Sequence, residues 1–311
     1  MTTTPLMETV RLPSPLADPG RSRRLGSILG LVVGDAVGAT NEFKTRGTFT
    51  LVTDMVGGGP FDLPAGAWTD DSSMALCLAE SLVETGKFDP VDQMQRYVRW
   101  WRNGYLSSTG ICFDVGLTTR QALARFELTG EPFAGSTDSN SAGNGSVMRL
   151  APVVAWAPDE ETAVSLAHQS SRTTHGAAEA VDGCVLLARL LFAAYRGEDP
   201  TAPMARVGEG WSVALRTVAA MARAEGYAPP APPTGYVVDT LACARWCAAR
   251  GRNFREAVLL AANLGGDADS IAAVTGQIAG AIWGVEGIPP EWLERLAMRE
   301  RVMELAERCV R

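Results

Sequence analysis

Two short stretches of the chain carry residues that could do chemistry together. Residues 66–76 read GAWTDDSSMAL, and residues 263–273 read NLGGDADSIAA. In each, glycine precedes close-set carboxylates and hydroxyls, and an apolar run of helical spacing follows. A helix start favours an acidic cap through its free N–H groups and its dipole. Capping uses one oxygen, however. TDDSS offers five consecutive oxygen-bearing side chains, and GGDADS offers three more behind glycines that let the backbone turn sharply. Adjacent carboxylates repel unless something positive lies between them, and neither stretch contains lysine or arginine. A divalent cation would resolve the repulsion. An all-oxygen donor set suits hard ions such as Mg²⁺, Mn²⁺ or Ca²⁺ rather than zinc, and the spacing is not that of an EF-hand. On residue types alone, caps and metal ligands both remain open readings.

Other catalytic schemes lack their residues. There is no GxGxxG after a strand, no GxxxxGK[ST] and no GxSxG elbow. The two histidines, His168 and His175, are not part of an HExxH pair. The formal net charge of −7 argues against a broad nucleic-acid surface. It leaves room for a small anion held by backbone amides.

The elements that must position these residues read as helices almost throughout. Helical runs close at Gly86, Gly104 and Gly130, each a fitting C-terminal glycine. Pro90 stands near a helix start. AAEAVDGCVLLARLLFAAYRG, VVDTLACARWCAARG, FREAVLLAANLGG and the Ala/Gly-rich ADSIAAVTGQIAGAIWG follow, and PEWLERLAMRERVMELAERCVR closes the chain. Residues 49–56 read as a short extended segment. Residues 130–146 and 226–236 read as long loops, the first polar and glycine-rich enough to be functional. Apolar residues make up 46% of 311, ample for one core. The expected fold is a single all-α domain of helices packed on helices, over residues 25–311, behind a loosely ordered lead-in of residues 1–24. Six cysteines without a CxxC pair read as free thiols in a reducing cytoplasm. No apolar stretch is long enough to span a membrane.

The motifs in order resemble the ADP-ribosylglycohydrolase family. GLVVGDAVGATNEF (30–43), GAWTDDSSMAL, CFDVGLTTRQAL (112–123), AGNGSVMRLAPV (142–153), SSRTTHGAAEAVDG (170–183) and NLGGDADSIAAVTGQIAGAIWG (263–284) carry the resemblance. It implies an orthogonal all-α fold with two divalent cations, Mg²⁺ or Mn²⁺, in a cleft. Thr69, Asp70, Asp71, Asp267, Asp269 and Ser270 would be the ligands, with Ser270 standing where the family often has threonine. Glu42, Asp70, Asp71 and Asp269 would be catalytic. Glu42, Asp114, Gly143, Asn144, Gly145, Ser146, Met148, His175 and Gly266 would contact the substrate, Asp114 at its distal part. The implied activity is removal of ADP-ribose from modified proteins at C1″, with arginine as the first acceptor and ADP-ribose as product. Serine-linked ADP-ribose, O-acetyl-ADP-ribose and ADP-ribosylated nucleic acid are alternatives, as is a non-catalytic ADP-ribose-binding module. The expected protein is a cytoplasmic monomer with neither membrane nor nucleic-acid partner.

Overall fold

The computed structural model describes residues 18–199, 216 and 233–310. Among these there are twelve α-helices and no strand, only isolated bridges. Two helices form the centre: α1 (Pro19–Gly38) and, late in the chain, Ala268–Trp283. They pack with almost no side chain between them. A methyl group on Gly30 would lie 2.2 Å from the Gly276 carbonyl oxygen, one on Gly34 2.1 Å from Ala272 O, and one on Gly38 2.4 Å from Ala268 O. From the other side, a methyl on Gly280 would lie 1.9 Å from Gly26 O. Small residues recur every fourth position on both helices, so one smooth stripe faces another.

The remaining helices surround this pair. In chain order they are α2 (Asp70–Thr85), α3 (Pro90–Asn103), α4 (Leu117–Thr129), α5 (Ala151–Trp156), α6 (Glu160–Thr174), α7 (Ala178–Tyr195), α8 (Val237–Arg250) and α9 (Phe254–Ala262). The late central helix is α10, and α11 (Pro290–Arg295) and α12 (Arg299–Cys309) close the chain. The expected C-terminal glycines hold: Gly86, Gly104 and Gly130 each end a helix in the left-handed region. One continuous apolar core runs from Leu25 to Val310. All six cysteines are free thiols.

Four expectations meet the described residues. Helix α1 begins at Pro19, capped by Asp18 through Gly20 N, so its first turns precede residue 25. Residues 49–56 form no strand. Instead the Asn263 side chain pairs with both backbone groups of Val52, at 2.8 and 2.9 Å, as a neighbouring strand would. The closing segment is two helices rather than one. It breaks where Ala297 N donates to Gly66 O at 3.0 Å and Met298 adopts φ 43°. The loop expected at 226–236 is described only from Pro233 onward; its earlier part lies outside the described residues.

The central crossing yields a stability prediction. Gly276→Ala gains helix propensity, yet its methyl would sit 1.9 Å from Gly30 O. Net destabilisation should be about 2–3 kcal/mol in chemical denaturation. Gly116→Ala, whose methyl meets nothing nearer than Thr119 Oγ1 at 4.0 Å, should be close to neutral.

Candidate active site

The close approach of α1 and α10 brings one carboxylate from each into the same buried volume. Asp35 sits inside α1 with no solvent exposure. It reaches the start of α2. Its Oδ1 accepts from Thr69 N and Thr69 Oγ1, both at 2.9 Å, and its Oδ2 accepts from Ser72 N at 2.9 Å and Ser72 Oγ at 2.6 Å. Asp35 therefore caps α2 from another helix. Thr69, the residue in cap position, makes no capping bond of its own. The same exchange occurs at α10. Asp267 holds the cap position without capping, and Glu42 Oε2 accepts from Asp269 N at 3.1 Å. Because caps come from elsewhere, Asp70, Asp71 and Asp267 are released from that duty. The capping reading of the two acidic stretches is thereby displaced.

These carboxylates converge. Oxygens of Glu42, Asp267 and Asp269 lie within 4.8 Å of one another, and so do those of Asp70, Asp114 and Asp269. Asp269 belongs to both trios. Thr69 Oγ1 lies 3.1 Å from Asp269 Oδ2, and Ser270 Oγ donates to Asp71 Oδ2 at 3.3 Å. Asp71 is fully buried, and its Oδ1 has no hydrogen-bond partner. A buried anionic oxygen without donor or counter-charge is costly. Among the described residues no basic side chain forms an ion pair within either trio. An all-oxygen set with one orphaned buried oxygen fits hard divalent cations.

Electrostatics agree with that fit. Burial first, then the Asp269 charge, pushes Asp35 up to about 7 and Asp114 up to about 8. The same two causes push Asp267 up to about 7. Burial raises Asp70 and Asp71 well above the carboxylate range, aided for Asp70 by Asp114 and for Asp71 by Asp269. Glu42 is raised far by burial and by Asp269. Without positive charge, the cluster retains protons at neutral pH.

Two chain segments enter the site under strain. Phe43 and Asp114 both adopt the left-handed region, at φ 60° and 57°, where side chains are disfavoured. The turn at Gly265–Gly266 is left-handed too. It lets Phe43 N reach Gly266 O at 2.7 Å and Gly266 N reach Lys44 O at 2.8 Å, so Glu42 is tied to the start of α10.

Above the carboxylates opens a cleft of about 420 Å³. Of the expected residues, Glu42, Asp70, Asp114, Gly143, Asn144, Gly145, Met148, His175, Asp267, Asp269 and Ser270 line it. Thr69, Asp71, Ser146 and Gly266 do not; they stand behind or beside the lining. Asp114 joins the acidic floor with Asp70 and Asp269. The 142–148 loop is held firmly. Gln277 Nε2 donates to Val147 O and Met148 O at 3.0 and 2.8 Å, and Asn144 Nδ2 donates to Asp267 and Thr240. Sequence reasoning missed Asp35, although a lone acid inside the apolar run LGSILGLVVGDAVG is a signal that something must receive it. It also missed Phe43, Leu117 and Thr119, which line the cleft only because α4 and the 42–44 turn meet there.

The ADP-ribosylglycohydrolase family model matches residues 17–311. An ADP-ribosylarginine hydrolase Tri1 from Pseudomonas putida is 45% identical, over 92% of this chain and 77% of that protein. The ADP-ribosyl-[dinitrogen reductase] glycohydrolase of Rhodospirillum rubrum is 31% identical, over 89% of this chain and 91% of that one. A solved structure titled ADP-ribosylglycohydrolase-related protein complex superposes with a TM-score of 0.83 at 47% identity. It covers 94% of this chain and 98% of that chain.

The raised carboxylates give the site a pH signature. Asp35 and Asp267 titrate near 7 in the folded chain against 3.8 ordinarily. Between those values the folded chain holds protons that the unfolded chain has released. Stability is therefore greatest at the acid end of the window and falls as pH rises through 7. In EDTA, the thermal midpoint should drop between about pH 5 and about pH 8. Saturating Mg²⁺ or Mn²⁺ should flatten the drop, because the cation replaces the protons. A slope that metal leaves unchanged would remove the cation from this site.

Proposed function

The chain belongs to the ADP-ribosylglycohydrolase family, and we propose that it removes ADP-ribose from arginine side chains with divalent cations held by its acidic floor. It is a hydrolase of glycosyl bonds. The observation that carries the proposal is the pair of carboxylate trios sharing Asp269 in a cleft that the glycine loop and His175 also line. Arginine as acceptor is supported by the names of the two relatives at 45% and 41% identity, both ADP-ribosylarginine hydrolases.

In this reading Asp70, Asp71, Asp114, Asp267, Asp269 and Glu42 hold the cations, with Thr69 and Ser270 supplying hydroxyl oxygens. Bound cations would neutralise the cluster, bind the ribose hydroxyls and activate the attacking water electrostatically. The scissile bond joins C1″ of the distal ribose to a guanidinium nitrogen. Its cleavage puts oxocarbenium character on the ribose, which nearby carboxylates stabilise. Water adds its oxygen at C1″, the C–N bond breaks, and the nitrogen leaves with a proton. Glu42 and Asp114 belong to different trios and both line the cleft, which supports one of these carboxyls as the acceptor of the water proton and its donor to the leaving nitrogen. Of the 143–145 amides, Gly143 N and Asn144 N donate to Ser141 O and Gly235 O, which leaves Gly145 N as the backbone donor for the diphosphate in this reading.

The test is ADP-ribose release from an arginine-modified protein, with Mg²⁺ and with EDTA, beside a serine-modified substrate. Metal-dependent release from arginine alone is expected. Release from serine alone would replace the acceptor and leave the mechanism standing. Asp269→Asn should cut turnover on the order of a hundredfold or more. The same variant should raise the thermal midpoint in EDTA, because it removes a charge shared by both trios. A loss of stability in EDTA would mark Asp269 as structural.

A further inference from the structure

Arg149 is a fully buried guanidinium with no carboxylate partner among the described residues. It stacks 4.9 Å from the Tyr97 ring centroid and donates to oxygens of neutral groups: Gly145 O, Ser170 O at 3.4 Å, Thr173 Oγ1 at 3.2 Å and Thr174 Oγ1 at 2.7 Å. A buried, uncompensated cation beneath the ligand loop calls for a physical account. The Thr174 contact supplies one. Arginine can only donate, so Thr174 Oγ1 accepts from it. Thr174 is itself fully buried, and its hydroxyl hydrogen then has one acceptor among the described groups: His175 Nδ1, 2.9 Å away.

We infer that Arg149 and Thr174 are positioning residues that lock His175 in the tautomer with its proton on Nε2, giving the cleft a permanent neutral hydrogen-bond donor. Nε2 has no protein partner among the described residues. A methyl on Gly143 would lie 3.3 Å from Nε2, and one on Gly145 would lie 2.6 Å from Cε1. Glycine at both positions therefore keeps this edge of the ring clear, on the wall of the cleft. Burial and the Arg149 charge both disfavour the imidazolium, so the ring stays a donor at one nitrogen rather than two. The recognised group is an oxygen acceptor, such as a phosphate oxyanion. That assignment rests on the ADP-ribose reading; the tautomer does not.

The chain has two histidines, and His168 is exposed, so imidazole nitrogen NMR of the full protein shows two resolvable rings. His168→Asn identifies the remaining set as His175. The expected spectrum has a bare Nδ1 and a protonated Nε2 without any ligand present. Thr174→Val should shift the Nδ1 signal and weaken ADP-ribose binding by about three- to tenfold in calorimetry, the scale of one hydrogen bond. Thr174→Ser should restore both. A proton on Nδ1 in the unaltered protein overturns the inference. So does a Thr174→Val protein with unchanged His175 signals. If the spectrum is as expected but the unaltered protein does not bind ADP-ribose, the lock stands and the ligand reading fails.

Discussion

Everything in this protein hangs on the contact between α1 and α10. Two helices can approach this closely only when nothing larger than a methyl group lies between them, and here the facing positions are glycine or alanine every fourth residue. The contact does more than bury surface. It fixes the rise and rotation of one helix against the other, and so sets Asp35 and Asp269 in one small volume. Close-packed interiors are stiff, which suits a site whose groups must be held to fractions of an ångström.

On that frame the acidic site is assembled by exchanging caps. Each of two helices has an acid at its start that does not cap it, and each is capped by an acid from elsewhere: Asp35 for α2, Glu42 for α10. The N-terminal ends of both helices point their partial positive charge at the cluster. Those partial charges are too small to offset this many buried carboxylates, which is why burial raises their proton affinity so far. The arrangement is poised for a stronger positive charge. The cleft is also lined by Gly143, Gly145, Asn144 and His175, with a buried arginine behind the glycine loop.

Much of this was legible in the residues. The helical period and the glycine stops gave an all-α chain, because period and backbone freedom are local properties. The two acidic stretches stood out because five oxygens in a row exceed what a cap can use. The family resemblance supplied the grouping of the two stretches and the names of the loop residues, and eleven of those residues line one cleft. The closing run PEWLERLAMRERVMELAERCVR divides into two helices because Ala297 bonds to Gly66, more than two hundred residues away in the chain. Residues 49–56, read as a short extended segment, join no strand because the partner of Val52 is a side chain, that of Asn263.

The sequence by itself determined which residues carry oxygen, where helices begin and end, and that close helix contact was possible. It could not determine which acid caps and which is free. That depends on which helix end lies within hydrogen-bond reach of which carboxylate, a matter of crossing geometry. Nor could it show the cause of the raised proton affinities, since burial and the mutual repulsion of acids more than two hundred residues apart exist only after folding. Arg149 makes the same point. In the sequence it is one basic residue in an apolar run; in the fold it lies within hydrogen-bond distance of Thr174, and through it of the ring of His175.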